Sequence, residues 1–387
     1  MGTRTSARHT RHRRRRASIA IITSVVAVLV VAGSAAAATV VLPGLSTSFP
    51  FAPDHTSSPL AVPDGGEGAD PSTPPEQDPP LPDGPDAEPT VSPAPVEPPA
   101  PPAPPAPPAP VSPLAQPCDT TSVMSVWAHQ DDDLIFANPE LSAAISAGEC
   151  VRTLYLTAGD AGKGQAYSRG RELGILRSYN VMRGAKAFWD ERSVDLLSGA
   201  RLSVFSPQGD PRVSVAFLRL PDGGLKSSGF PATGGCSIPQ LLAGTIASLA
   251  PLDGGPAVTA ASLQQTIAEA ITAWGPTRLF THVPGASALS VGDHPDHAAT
   301  GSLVRAAWQS VGYPVDAVRY FIGYPSENLP INLSGDQLAR KVDVYRVYAK
   351  EDLVIACADN AACLQRRGFG AWLQRSYPKT DAELGIG

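Results

Sequence analysis

Aromatic residues are scarce in this chain of 387 residues, at 6%, and there are only five cysteines and seven histidines, so the position of each carries information. Lysine and arginine are missing altogether from Pro43 to Pro117, a stretch that holds 26 of the 41 prolines and ten acidic residues. Such a segment cannot bury enough apolar surface to offset its ordering entropy, which excludes a packed core there and predicts a disordered, extended linker over 43–117. From residue 118 onward 23 basic side chains face 26 acidic ones. A basic stripe is therefore lacking, and nucleic-acid binding is excluded as the main task. Gly159, Gly162 and Gly164 do not have dinucleotide-fingerprint spacing, and no Ser or Thr follows Lys163, which argues against a nucleotide site.

No charged residue lies between Arg16 and Asp54, and within that gap Ile19 to Leu42 supplies 24 mostly aliphatic residues. About 20 suffice to span a bilayer. Seven arginines in residues 1–16 mark that end as cytoplasmic. Residues 17–42 then read as a transmembrane anchor or as a signal peptide cleaved near Ala37, where small residues cluster. Either way the remainder is expected outside the cytoplasm, tethered to the membrane or secreted. The cysteines suit an oxidising compartment. Cys118 and Cys150 precede the first two expected strands and form one candidate pair, Cys357 and Cys363 form another, and Cys236 is left over.

Residues 118–387 are long enough for one large domain. Strands are expected at 123–128, 153–157, 213–218, 278–281 and 318–322. Helices are expected at 139–147, 168–187, 263–274, 298–310 and 334–348. The alternation predicts an α/β, Rossmann-like fold, a mainly parallel sheet with helices on both faces. Ligands of such sheets bind beyond the carboxyl ends of the strands.

Four histidines fall in this part, at 129, 282, 294 and 297, all at or just after expected strand ends. The first strand leads into Ala128-His129-Gln130-Asp131-Asp132-Asp133, and the 278–281 strand leads through a loop to Gly292-Asp293-His294-Pro295-Asp296-His297. Imidazole and carboxylate suit zinc, and three protein ligands with one open position make a catalytic site. Each cluster also has a plain structural explanation. The aspartates can solvate a loop and favour a helix N-terminus, and His294 with Pro295 can simply start a helix. His282 reads equally well as a supporting or a structural histidine, and the five scattered tryptophans read as core.

The two clusters resemble the AHPDDE and HPDH signatures of the PIG-L / LmbE-like N-acetylglucosaminyl deacetylases. The likeness extends through Thr157 to Gly162, Arg169 to Glu172 and Leu220 to Gly223. It implies one divalent ion, zinc, on His129, Asp132 and His297, with Asp131 as general base. It also implies that His294 stabilises the oxyanion with Asp296 as its orienting partner, and that Arg169 and Asp222 contact substrate. The implied partner is an N-acetylated amino sugar or glycan. Gln130 stands where the signature has proline and Asp133 where it has glutamate, leaving a non-catalytic wall-binding module or a zinc hydrolase of another amide as alternatives. Neither the exact substrate nor the oligomeric state is readable.

Overall fold

A computed structural model describes residues 110–386. The expected basic terminus, the membrane segment and the linker as far as residue 109 lie outside the described residues. Among the described residues, no helix is long and apolar enough to cross a membrane.

In chain order the strands are β1 (Ser122–Trp127), β2 (Cys150–Thr157), β3 (Trp189–Asp195), β4 (Arg201–Pro207), β5 (Val213–Leu220), β6 (Arg278–His282), β7 (Val318–Phe321) and β8 (Pro378–Lys379). The helices are α1 (Asp132–Phe136), α2 (Glu140–Ser146), α3 (Gln165–Met182), α4 (Ile238–Leu242), α5 (Ala260–Trp274), α6 (Pro295–Ser310), α7 (Gly335–Ala349), α8 (Asn360–Gln365), α9 (Phe369–Leu373) and α10 (Asp381–Leu384). The strands form one sheet in the order β3-β4-β5-β2-β1-β6-β7-β8. Its five central strands, β5 to β7, are parallel, while the edge pairings β3–β4, β4–β5 and β7–β8 are antiparallel.

β1 and β2 are buried along their whole length, which is why they read as largely apolar, with Arg152 the one charged residue between them. Met124 and Val126 of β1 join a core with Ile267 and Trp274 of α5 and Trp308 of α6. Val123 and Trp127, one residue out of phase, join a second core with Leu141 of α2, Tyr179 of α3 and Tyr345 of α7. Period-two alternation thus sends neighbouring side chains to opposite faces, and helices cover both.

The expected elements are present with shifted ends, and the structure adds several. β3 and β4 form an antiparallel hairpin that the sequence hides, because β3 (Trp-Asp-Glu-Arg-Ser-Val-Asp) is charged and largely exposed. Charged edge strands of this kind resist pairing with other chains. The short helices α1, α8 and α9 carry too few turns to show a period. The folded part also begins earlier than residue 118. Leu114 is fully buried in the first core, and the Ser112 hydroxyl donates to Glu269 Oε1 at 2.6 Å. The described residues 110–386 belong to one compact unit.

Cys118 and Cys150 are disulfide-bonded where β1 and β2 begin, with Cα atoms 6.2 Å apart. Cys357 and Cys363 are bonded across a short loop with Cα atoms 5.1 Å apart. Cys236 is a free, half-buried thiol.

Candidate metal and substrate site

The chain leaves β1 toward β2 on one side and returns to β6 on the other, so the strand order reverses beside β1. Parallel sheets open a crevice at such a point, outside the carboxyl ends of the strands. The turn after β1 supplies His129 to Asp133, β5 runs into Asp222, β6 ends in His282, and α6 begins at the HPDH run.

Three of these side chains converge. His129 Nδ1 lies 3.2 Å from His297 Nε2, Asp132 Oδ1 lies 3.1 Å from His297 Nε2, and Asp132 Oδ2 lies 3.5 Å from His129 Nδ1. Bonds of about 2.0–2.1 Å to a tetrahedral zinc ion put neighbouring ligand atoms roughly 3.3 Å apart, so these spacings fit. The ring orientations fit as well. His297 Nδ1 donates to Asp293 Oδ1 at 2.8 Å and His129 Nε2 donates to Asp296 Oδ2 at 3.2 Å, so each ring turns its other nitrogen toward the common point. Two imidazole lone pairs facing each other at 3.2 Å require a proton or a cation between them. Asp132 is aimed by the His129 backbone N–H at 2.7 Å and by His282 Nε2 at 3.0 Å, both on Oδ2.

Two sequence expectations are corrected here. The Asp296 carboxylate is not the group that orients His294. Its Oδ2 is 3.9 Å from His294 Nδ1, and that nitrogen instead accepts the Asp296 backbone N–H at 3.1 Å as the N-cap of α6. The carboxylate facing the outer nitrogen of His294 belongs to Asp222, at 3.9 Å from Nε2. His294 therefore both starts a helix and faces the site, so the structural and functional readings of the motif hold together. Arg169 does not reach the cleft. Its guanidinium is partly exposed and bonds Glu172 at 3.2 Å. One helical turn is only 3.6 residues, so Arg169 and Arg171 leave α3 in different directions. It is Arg171 that enters, donating to Asp131 Oδ1 at 2.8 Å and to the backbone carbonyls of Gln130 and Gly159.

Sequence reading also missed Asp293. Glycines bordering the site are demanded by close approach: a Cβ on residue 223 would stand 2.5 Å from Asp296 Oδ1, and one on residue 323 would collide with the Asp293 carboxylate.

With this geometry in view, the family model described as PIG-L: GlcNAc-PI de-N-acetylase matches residues 124–308. That span contains both histidine clusters. Residues 124–308 form a PIG-L family domain. The domain is that of a hydrolytic N-deacetylase. No curated protein sequence matches the chain. Among solved structures it is similar to the conserved protein TT1542 from Thermus thermophilus, with 18% identity and a TM-score of 0.36, covering 67% of this chain and 92% of that one. It is also similar to the zinc-inhibited form of teicoplanin deacetylase Orf2, at 14% identity and TM-score 0.37, covering 62% and 88%. N,N'-diacetylchitobiose deacetylase from Pyrococcus horikoshii matches at 13% identity and TM-score 0.34, covering 61% and 72%.

In this PIG-L domain the site carries an excess of negative charge. Asp131, Asp132, Asp222, Asp293 and Asp296 are all buried or nearly so, and Arg171 is the guanidinium among them. Burial opposes protonation of His297, yet Asp132 and Asp293 outweigh it and raise its pKa to about 9. The charge that favours protons on these rings equally favours a divalent cation, so the donor set suits a metal ion. Burial raises Asp131 to about 8 against the pull of Arg171. Burial, then the neighbouring His129 and His297 rings, push His294 down to about 2, leaving it neutral with hydrogen on Nε2.

Asp131 sits at φ 117°, ψ -25°. A non-glycine residue held there stores strain of a kind that collects at functional sites. The two departures from the signature point away from the site. Asp133 turns into the core, accepting from Tyr179 Oη at 2.8 Å, and Gln130 Nε2 donates to the Thr157 carbonyl at 3.3 Å. The cleft above the cluster encloses about 390 Å³ and is bordered by His129, Asp131, Arg171, Asp222, His294 and Tyr324.

Proposed function

We propose that this chain is a zinc-dependent deacetylase that hydrolyses the N-acetyl group of an N-acetylglucosamine-type amino sugar or glycoconjugate outside the cytoplasm. The observation that carries this reading is the convergence of His129 Nδ1, His297 Nε2 and Asp132 at 3.1–3.5 Å, with Asp131 and His294 bordering the same cleft. His129, His297 and Asp132 would hold the ion. Zinc bound there supplies a Lewis acid and brings the pKa of water toward neutrality.

The chain's own groups do the rest. Asp131, pinned through Oδ1 by Arg171, keeps its second oxygen for the proton of the attacking water, and a neighbouring dication favours its ionised form. Water oxygen adds to the acetyl carbon, and the negative charge that develops on the carbonyl oxygen needs a donor. His294 Nε2–H is placed to be that donor, because its other nitrogen is already committed to the Asp296 backbone. Asp131 then returns the proton to the departing nitrogen, the C–N bond breaks, and acetate and a free amine leave. Asp222, its oxygens fixed by the N–H groups of Ala161 and Gly224, borders the cleft where sugar hydroxyls would lie.

Export is supported by the seven N-terminal arginines, the uncharged apolar run after them, and two disulfides. The acidic, proline-rich stretch that follows then acts as a spacer from the membrane.

The test uses the full-length chain. Zinc content is measured, and acetate release is followed from N-acetylglucosamine conjugates, with Asp131→Asn as control. Zinc bound at one equivalent with acetate well above the control is the expected result. Zinc without acetate above the control would leave a binding module, and no zinc at all would overturn the proposal.

A further inference from the structure

Arg171 is buried between two carboxylates that lie 221 positions apart in the chain, Asp131 and Asp352. Its outer nitrogens donate to Asp131 Oδ1 at 2.8 Å and to the backbone carbonyls of Gln130 and Gly159. Its Nε donates to Tyr348 Oη at 2.5 Å and lies 3.3 Å from Asp352 Oδ2. A buried guanidinium needs counter-charge and partners for its five N–H donors. Asp131 supplies one charge and Asp352 the other.

Asp352 borders the cleft, where a carboxylate could hold a sugar hydroxyl. Its surroundings argue otherwise. It is 2% exposed, Oδ1 accepts from Tyr167 Oη at 2.6 Å and from the Val354 N–H at 3.0 Å, and Oδ2 faces Tyr348 Oη at 3.0 Å as well as Arg171. Four polar groups on two oxygens are as many as an ionised carboxylate accepts, which leaves nothing for substrate. The seat itself is tightly built. Gly170 and Gly174, one turn apart on α3, lie against the end of α7, where a Cβ would stand 3.0 Å from the Glu351 carbonyl oxygen and 2.8 Å from the Tyr348 ring. A larger residue at either position would push away the turn that carries Asp352. This turn follows α7, beyond residue 308, where the family match ends.

We infer that Asp352 is a positioning residue of the reaction: it holds Arg171 in the direction that fixes the Asp131 carboxylate for the attacking water. The inference rests on the deacetylase reading and adds a residue to it. Stretched between two carboxylates, the guanidinium cannot swing about its last bonds. With Asp352 neutral its Nε side keeps only weaker partners, and Asp131, which hangs on the same group through Oδ1, moves with it. Displacing a reacting group by about 1 Å can cost on the order of 100-fold in rate.

The test measures zinc content, kcat and KM for acetate release from an N-acetylglucosamine conjugate, on the full-length chain. Asp352→Asn should bind zinc at one equivalent and keep KM within about twofold, while kcat falls by roughly 10–100-fold. Asp352→Glu keeps the charge on a longer arm, and its kcat should lie between the two at unchanged KM. This variant carries the test if Asp352→Asn does not fold, and a natural kcat in it would then overturn the inference. A natural kcat in folded Asp352→Asn would do the same, and a loss confined to KM would make Asp352 a substrate contact instead. A second measurement needs no turnover. Thermal midpoints of the metal-free chain are compared for Asp352→Asn, Asp131→Asn and the double variant. Each single variant leaves Arg171 one counter-charge and the double variant leaves none, so the double should lose more than the sum of the two. Additive losses would show that the carboxylates do not share Arg171 and would overturn the inference. Absence of acetate release by the natural chain would remove the deacetylase reading, and the midpoints would still decide whether Asp352 and Asp131 are joined through Arg171.

Discussion

Asp296 accepts from one nitrogen of His129 at 3.2 Å while the other nitrogen of the same ring faces His297 at the same distance. A carboxylate behind a ligating imidazole fixes its tautomer and orientation, and losing such a partner costs about 10–100-fold in metal affinity. Asp296→Asn keeps an oxygen for the Gly223 N–H, which now bonds Oδ2 at 2.8 Å, but loses the charge. Zinc affinity measured by competition with a chromophoric chelator should fall by about that range. An unchanged affinity would show that His129 is oriented by something else.

Arg169 and Arg171 separate the sequence expectation from the structure. Arg169→Met should change kcat/KM by less than about threefold, as removal of a partly exposed ion pair costs little. Arg171→Met removes the cation from a buried carboxylate pair and should lower folding stability by about 3–5 kcal/mol in urea titrations, with acetate release lost as well. The reverse ranking would restore Arg169 to the substrate site.

His282 stacks on His297 with ring centres 4.0 Å apart and holds Asp132 through Nε2. His282→Phe preserves the stack and deletes the hydrogen bond. Zinc binding should weaken by roughly tenfold with little change in the thermal midpoint of the metal-free chain. If the midpoint collapses while zinc affinity holds, the histidine is a core residue only.

Lys341 is 2% exposed, and its ammonium donates to the Arg375 carbonyl at 2.6 Å. Burial lowers its pKa to about 7 against the attraction of Glu140. Between pH 7 and the unfolded value near 10.4 the unfolded chain binds the extra proton, so this group's destabilising effect is complete below pH 7 and fades as pH rises. Lys341→Met should therefore raise stability at pH 6, by up to on the order of 4 kcal/mol less the lost hydrogen bond, and the gain should shrink toward pH 10. Chemical denaturation at the two pH values decides it, and a gain that grows with pH would contradict the assignment.

Much of the fold was legible because parallel strands buried on both faces must be apolar throughout. Ser122–Trp127 and Val213–Leu220 could hardly be anything else. The β3–β4 hairpin was not legible, since a charged edge strand has the composition of a loop. The start of the folded part was hidden in a similar way, since one buried leucine, Leu114, is invisible among prolines.

The identities of the chemically able groups were set by the sequence itself, because imidazole and carboxylate side chains gathered at strand ends lie where a parallel sheet binds its ligands. Which carboxylate serves which ring was decided only by the tertiary structure. Asp296 is two residues from His294 and 167 from His129, yet it bonds His129, because α6 leaves its N-cap with the Asp296 side chain turned toward β1. Arg171 rather than Arg169 reaches Asp131 for the same kind of reason. Proximity along a chain is a matter of number. Hydrogen-bond reach is set by the direction in which each backbone leaves its strand or helix, and only the packing of α3, α6 and β1 fixes that.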